Sequence, residues 1–273
     1  MQKTINSSPL GKKSSYISFY NPDLLFPIPR EEKRREIGIL EKPPFKGFDI
    51  WNAYEFSWLN AKGKPQVAVA EFLIPCESFN IIESKSLKLY LNSFNQSRFS
   101  DKKEVGEILL RDLSESVKSS VELNLFSPAE FYRLQIRRFE GTCLDDLDVA
   151  IDCYTVNPSF LSHSSDFVEE VLYSDLLKSN CLVTGQPDWA SVEIKYKGLK
   201  IDREGLLRYI VSFREHDEFH EQCVERIFMD ILRYCKPERL TVYARYTRRG
   251  GIDINPFRSN YESKRDNRRT YRQ

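Results

Sequence analysis

"SNCLVTGQPDWASVEI" (Ser179–Ile194) repeats, in altered form, the earlier stretch "SWLNAKGKPQVAVAEF" (Ser57–Phe72). At one constant spacing, identical residues coincide in five pairs: Ser57/Ser179, Gly63/Gly185, Pro65/Pro187, Ala68/Ala190 and Glu71/Glu193. At the same spacing Leu59 faces Cys181, and Gln66 faces Asp188. The two copies therefore share a Gly and Pro scaffold, and only the later copy adds a thiol and a carboxylate to it.

The repeat continues after a gap, at a spacing three residues shorter. The identical pairs in this second block are Leu87/Leu206, Tyr90/Tyr209, Ser93/Ser212, Phe94/Phe213, Val105/Val224, Ile108/Ile227 and Leu113/Leu232. Two blocks in the same order indicate a tandem duplication of a unit of roughly 110–120 residues.

Each copy has the same predicted order of elements. A strand leads through the G-x-P turn into a second strand, and "LKLYLNSF" or "LLRYIVSF" is read as a further strand. Apolar residues at helical spacing, Val105–Leu113 and Val224–Leu232, then predict a helix. "FYRLQIRRF" and "LTVYARYTR" are predicted to close the copies as strands. Hairpins and helices without βαβ alternation predict an α+β fold with antiparallel sheets and helices packed on one face.

The predicted organisation has four parts. Residues 1–45 are rich in Pro and charge and predict an extended N-terminal arm. The first unit is placed at 46–145 and the second at 146–258, since Asp, Ser and Pro accumulate around this junction. Residues 259–273 form a basic segment that we expect to be a mobile, solvated tail.

Composition limits the class of protein. The 273 residues are 41% hydrophobic and 13% aromatic, and the net charge is +1, so no general attraction to nucleic acid or anionic lipid is expected. No apolar run reaches the roughly 18 residues of a membrane span, and the N-terminus lacks a signal-peptide pattern. We expect a soluble, cytoplasmic protein without a membrane partner. Its six cysteines contain no C-x-x-C pair, so they carry no zinc signal.

Cys181 and Asp188 are the candidate reactive pair. A G-x-P turn after a strand can place a thiol and a carboxylate on one side of a pocket. A thiolate is a strong nucleophile, and a nearby acid can protonate its adduct.

Two further clusters contain candidate ligand-binding side chains. "ESKS" (Glu83–Ser86) offers hydroxyls and an ammonium group suited to a phosphate. An exposed edge strand whose lysine prevents pairing with another chain has the same sequence features. "REHDEFHEQC" carries His216 and His220 at zinc-like spacing, but a third ligand is not evident. Glu221 can instead accept paired N–H donors from a guanine-like edge.

"RYTRRGGIDINPFRS" contains Arg248 and Arg249 before Gly250 and Gly251. This pattern predicts a flexible basic turn where the backbone can approach a phosphate. The sequence contains no G-x-G-x-x-G, which excludes a Rossmann dinucleotide site.

Taken together, "ESKSLKLYLNSFNQSRF", "SNCLVTGQPDW", "FHEQC" and "TRRGGIDINPFRS" resemble the NADPH-dependent 7-cyano-7-deazaguanine reductases, the nitrile reductases of queuosine biosynthesis. The resemblance covers both halves and is closest to the long form, in which two tunnelling-fold (T-fold) units are fused. It implies a cytoplasmic homodimer that reduces the nitrile of 7-cyano-7-deazaguanine with NADPH and binds neither metal nor nucleic acid directly.

The resemblance also implies a role for individual residues. Cys181 matches the nucleophile that forms a thioimide, and Asp188 matches the proton donor. The implied substrate-binding positions are Ile82, Glu83, Ser84, His220 and Glu221. The implied NADPH-binding positions are Ser84, Lys85, Arg249 and Gly250.

Two alternatives belong to other classes of protein. A zinc-dependent pterin- or GTP-converting enzyme of the same fold would need bound zinc, which metal analysis would detect. A non-catalytic RNA-binding module would use the basic tail, and deletion of the tail would test it.

Overall fold

The structure is a computed structural model, and it describes residues 8–9, 11–12, 16–263 and 266–273. Contacts divide the chain into two compact units. The first unit comprises the described residues up to Glu36, together with Asp49–Gln135 and Arg248–Asp253. The second unit comprises Ile37–Phe48, Ile136–Thr247 and the described part of Ile254–Gln273.

The described residues up to 135 form six strands, three α-helices and two short 3₁₀ helices (Pro22–Leu24 and Pro128–Arg133). Their bounds are β1 (Pro27–Pro29), α1 (Glu31–Glu36), β2 (Lys46–Asn60), β3 (Pro65–Pro75), β4 (Asn80–Ile82), α2 (Ser84–Asn92), β5 (Arg98–Phe99), α3 (Lys102–Val117) and β6 (Glu122–Phe126). β3 lies between β2 and β6, β5 pairs with β2 in parallel, and β1 pairs with β4. The described part of the predicted arm therefore contains a strand and two short helices.

The later elements repeat the main part of this order, a hairpin followed by two helices and a strand. They are β7 (Thr142–Cys143), β8 (His163–Asn180), β9 (Pro187–Ile201), α4 (Arg203–Val211), α5 (His220–Cys235), β10 (Arg239–Tyr246) and β11 (Ile252–Ser259), with 3₁₀ helices at Pro158–Phe160 and Ser212–Glu215. Strand order in the second unit is β11-β10-β9-β8-β7, and β8, β9, β10 and β11 pair antiparallel. The predicted α+β class with antiparallel sheets is confirmed, as are the two helices α3 and α5 and the closing strand β10.

The two segments "LKLYLNSF" and "LLRYIVSF" are helices, so the prediction that they are strands was wrong. In α2 the apolar residues Leu87, Tyr90, Leu91 and the following Phe94 recur at helical spacing, and all four are buried. Glu83 accepts hydrogen bonds from the first backbone N–H groups of α2, which favours the helix at its start. The alternation of leucine with polar residues in the sequence fits a strand equally well, and this acidic N-cap was the signal that we missed.

The segment "FYRLQIRRF" does not close the first copy as a strand. Ser127 and Glu130 form a capping box, and Pro128 begins a 3₁₀ helix that ends at Arg133. The closing strand is β6 (Glu122–Phe126), which pairs antiparallel with β3.

The described part of the predicted mobile tail packs against the second unit. The side chain of Gln273 is only 6% exposed, and its Oε1 accepts hydrogen bonds from Arg245 Nε at 2.8 Å and from the Thr270 backbone N–H at 2.9 Å. Its Nε2 donates to the Tyr246 carbonyl at 3.0 Å. The expectation of a mobile, solvated tail was wrong for this segment, because Asn267 and Gln273 bond to Arg245 of β10 and Arg272 donates to the Ala190 carbonyl of β9. Residues 264–265 lie outside the described part of the chain.

Candidate active site

Cys181 is the first residue after β8, in a tight loop that leads to β9. Its backbone N–H donates to the Gln186 carbonyl at 2.8 Å, and its carbonyl accepts from the Gly185 N–H at 3.0 Å. Gly185 has φ +63°, a left-handed conformation that favours glycine and allows this reversal. The loop therefore holds the backbone of Cys181 on both sides, and the residue is only 5% exposed.

The residue of the first unit that matches Cys181 in its hydrogen bonds is Asn60, not Leu59. The Asn60 N–H donates to the Lys64 carbonyl at 3.0 Å, and the Asn60 carbonyl accepts from the Gly63 N–H at 2.8 Å. The loop of the second unit is thus one residue longer, and the alignment of Leu59 with Cys181 was wrong. The identical residues on either side of the loop do not show at which position the extra residue was inserted. The position equivalent to the thiol carries an amide in the first unit.

Asp188 lies on β9, directly opposite Ser179 in the hairpin that carries Cys181. Its side chain is 3% exposed, and Asp188 Oδ1 lies 3.6 Å from Nε2 of His220, the first residue of α5. The second unit therefore brings together three of the predicted site residues, since the nucleophile and the acid share one hairpin and the imidazole faces the acid.

Tyr246 on β10 packs against His220. The two rings meet edge to face, with centroids 4.0 Å apart. Burial, followed by the nearby Cys223 thiol and Asp188, raises the pKa of Tyr246 well above its usual value, so its hydroxyl stays neutral. We did not predict Tyr246 from the sequence, because the alternation in "LTVYARYTR" marks it only as a buried strand residue.

Glu221 follows His220 in the first turn of α5 and is 3% exposed. A carboxylate in this turn is favoured by the N-terminal end of the helix dipole. The role of Glu221 as an acceptor for N–H donors of a ligand stays a prediction.

The two histidines at zinc-like spacing face different carboxylates. His216 Nε2 lies 2.9 Å from Glu218 Oε2, whereas His220 faces Asp188. Throughout the part of the chain that the structure describes, no three His, Cys, Asp or Glu side chains are grouped as around a metal ion.

In the first unit, Glu83 is both a predicted substrate ligand and the N-cap of α2. Its carboxylate accepts hydrogen bonds from the backbone N–H groups of Lys85 at 2.6 Å and Ser86 at 2.8 Å, and it is fully buried. Burial raises the pKa of the Glu83 carboxyl, although these two N–H groups lower it in part. Each carboxylate oxygen has a second lone pair, so Glu83 can cap the helix and still accept a hydrogen bond from a ligand.

The remaining predicted residues of this motif surround Glu83. Ile82 ends β4 and is 2% exposed. Ser84 and Lys85 begin α2 and are half-buried, and Lys85 Nζ donates to the Lys12 carbonyl. The predicted hydroxyl and ammonium groups thus lie at the start of a helix, where backbone N–H groups also favour anions.

Arg249 and Gly250 form a tight turn, as predicted. The Arg249 N–H donates to the Ile252 carbonyl at 3.0 Å, and Gly250 and Gly251 have φ +61° and +80°. A Cβ on Gly250 would lie 3.3 Å from Cδ of Lys88, so the turn lies beside α2. Lys88 is a cation that we did not single out, although it follows Lys85 by about one helical turn.

A cavity of about 340 Å³ opens between the turn and α2. Its lining includes Gly250, Gly251, Lys88, Glu55 and Tyr16. The first unit therefore brings the glycine turn together with a lysine of the "ESKS" helix. These features fit an anionic, phosphate-bearing cofactor.

Two family models match the chain. The model described as "Nitrile reductase, 7-cyano-7-deazaguanine-reductase N-term" matches residues 16–125. The model described as "QueF-like protein" matches residues 187–265 and so includes Asp188, His220 and Glu221.

Curated proteins match the chain over almost its full length. A protein from Burkholderia multivorans is 60% identical over 269 residues, covering 97% of this chain and 98% of the relative. A protein from Cupriavidus necator is 58% identical over 271 residues with the same coverage, and one from Cupriavidus metallidurans is 57% identical. Each of these relatives is named NADPH-dependent 7-cyano-7-deazaguanine reductase.

Proposed function

The chain belongs to the family of NADPH-dependent 7-cyano-7-deazaguanine reductases, and on this premise we propose that it reduces the nitrile of 7-cyano-7-deazaguanine to an aminomethyl group in queuosine biosynthesis. The observation that supports the chemistry is the hairpin that presents Cys181 and Asp188 together. Both side chains are buried, and His220 faces the carboxylate.

In the proposed reaction the Cys181 thiolate attacks the nitrile carbon. A carbon–sulfur bond forms, one carbon–nitrogen π bond breaks, and the electron pair moves to nitrogen. Protonated Asp188 gives its proton to that nitrogen, and the product is a thioimide that contains every atom of the substrate. Asp188 is buried, and His220 Nε2 lies 3.6 Å from its Oδ1, where the imidazole can assist proton transfer.

Glu83 and Glu221 are each proposed as an acceptor for N–H donors of the substrate. A carboxylate can accept the paired N–H donors of a deazaguanine edge, and a buried acceptor of this kind discriminates strongly against analogues that lack the donor. Ile82 offers an apolar contact, and Ser84 a hydroxyl. His220 would orient the substrate next to Asp188.

Ser84, Lys85, Arg249 and Gly250 are proposed to hold NADPH. The two cations can pair with phosphate groups, and the glycine turn lets backbone N–H groups approach them. Conversion of a nitrile to an amine requires two hydrides, and each NADPH bound at these residues would supply one, so two NADPH molecules would be used in turn. Release of the carbon from sulfur restores the Cys181 thiolate for the next cycle.

The finer architecture is also a proposal. We assign T-fold units to 46–145 and 146–258, because the chain repeats one order of hairpin and helices. We further propose a cytoplasmic homodimer, in line with the resemblance to the long form of the family. No helix among the described residues is long and apolar enough to cross a membrane.

Mass spectrometry of the intact protein tests the proposed function. Incubation with 7-cyano-7-deazaguanine in the absence of NADPH should add the full mass of the substrate, because addition to a nitrile expels nothing. Cys181→Ala should show neither adduct nor turnover. An adduct in that variant would exclude Cys181 as the nucleophile.

A further inference from the structure

A buried charged cluster lies next to the proposed reactive hairpin, and the mechanism above does not use it. We call Glu218, His216 and Arg226 the Glu218 cluster. The Glu218 carboxylate accepts from Arg226 Nε at 3.0 Å and from an Arg226 terminal nitrogen at 2.8 Å. His216 Nε2 lies 2.9 Å from the same carboxylate, whose side chain is only 1% exposed.

The backbone of the cluster is bonded to the residue that precedes Cys181. The Glu218 N–H donates to the Asn180 carbonyl at 3.1 Å, and the Asn180 N–H donates to the His216 carbonyl at 2.8 Å. Two residues after Glu218, α5 begins with His220. One short segment therefore links the nucleophile to the imidazole that faces Asp188.

The first unit offers an internal comparison, because it makes the same backbone connection without the charges. The Leu59 N–H donates to the Ser97 carbonyl at 3.0 Å, as Asn180 does to His216. Two residues later the first unit has Phe99, which is 7% exposed and stacks on Phe94 with ring centroids 5.4 Å apart. An apolar side chain is therefore sufficient for the fold at this position.

The difference between the units argues against a purely stabilising role. A buried ion pair costs desolvation energy, and its replacement by apolar groups of similar volume is often neutral or stabilising. Burial would raise the pKa of the Glu218 carboxyl, but the hydrogen bonds from His216 and Arg226 outweigh this effect and hold the pKa below its usual value. The second unit, which carries the reactive thiol, thus has charged and directional hydrogen bonds at the position where the first unit has the apolar Phe99.

We propose that Glu218, with His216 and Arg226, is a positioning residue that fixes the Cys181 loop relative to the start of α5. The backbone bond from Glu218 to Asn180 and the side-chain bonds from Arg226 of α5 to the Glu218 carboxylate would keep Cys181, Asp188 and His220 in one alignment. Displacements of about 1 Å in such an arrangement can cost on the order of 10²-fold in rate. The inference rests on the proposed role of Cys181 as nucleophile.

The test measures the rate at which Cys181 acquires the substrate mass without NADPH. Glu218→Gln keeps the shape and weakens the pairing with Arg226. The double variant Glu218→Leu/Arg226→Met replaces the pair by apolar side chains and so makes position 218 apolar, as Phe99 is in the first unit. The matched control is Asp230→Asn, because Asp230 is a buried carboxylate on the same helix, 6% exposed, that accepts from Tyr209 at 2.7 Å.

We expect both cluster variants to fold, with adduct formation at saturating substrate slowed by roughly 10- to 100-fold. The substrate concentration for half-maximal rate should stay within about twofold, because the cluster positions reacting groups and does not hold the ring. Asp230→Asn should lower Tm and leave the adduct rate unchanged. This combination separates positioning from a general loss of stability.

Several outcomes would overturn the inference. One is an adduct rate in a folded cluster variant within about twofold of the wild-type rate; another is an equal loss of rate in Asp230→Asn. Unfolding of both cluster variants would also overturn it, because the cluster would then be needed for the fold. A wild-type protein that forms no adduct would refute the proposed function instead, and the inference with it.

Discussion

Replacing Asp188 by Asn tests the proposed proton donor directly. The side chain is 3% exposed and lies opposite Ser179 in the hairpin, so Asn preserves volume and strand pairing while removing the proton. Loss of a general acid typically costs roughly 10²–10⁴-fold in rate. At 1.36 kcal/mol per factor of ten, that is about 3 to 5 kcal/mol in the barrier to thioimide formation.

The structure places the expected loss near the lower end of that range. His220 Nε2 lies 3.6 Å from Asp188 Oδ1, so this imidazole is the nearest substitute donor. In Asp188→Asn we therefore expect a loss of about 10²-fold.

The assay is single-turnover adduct formation without NADPH, quenched at intervals and read by intact-protein mass spectrometry. Asp230→Asn serves as control, because it neutralises another buried carboxylate of the second unit. Adduct formation in Asp188→Asn within about threefold of wild type would refute the assignment of Asp188 as the proton donor. A loss near 10⁴-fold would instead remove His220 from the substitute role.

Three further predictions concern binding and stability. Replacing Lys85 and Arg249 together by Ala should raise KM for NADPH far more than for NADH, because the two cations are expected to pair with the extra phosphate; steady-state kinetics with both cofactors would show equal effects if they do not. Burial raises the pKa of Glu83, and the carboxylate loses its charge below that raised pKa. Substrate binding, measured with the unreactive variant Cys181→Ala, should therefore weaken by up to about tenfold per pH unit below it. Calorimetry should find that Glu83→Gln removes this dependence, and an unchanged dependence would contradict the role of Glu83. Gln273→Ala should lower the free energy of unfolding by about 1–3 kcal/mol, because it leaves buried hydrogen-bonding groups unsatisfied; a variant as stable as wild type in urea would contradict it.

The sequence by itself determined the duplication and the class of fold. The G-x-P turns mark the hairpins β2–β3 and β8–β9, and apolar residues at helical spacing mark α3 and α5. These signals are local, because a turn or an amphipathic face depends on residues a few positions apart. The motifs around Cys181, Glu83 and Gly250 could also be selected from sequence, since each combines reactive groups within a short segment.

Only the tertiary structure decided which of several locally possible states the chain adopts. The segment "LKLYLNSF" fits a strand or a helix, and burial of Leu87, Tyr90 and Leu91 along one face of α2, together with the Glu83 cap, decides for the helix. Likewise, nothing in the sequence identifies Tyr246 as the ring that packs against His220, or Glu218 as the residue whose backbone N–H donates to Asn180, the residue before Cys181. These contacts join positions that lie tens of residues apart, and they exist only because β8, β9, β10 and α5 pair and pack in one particular register.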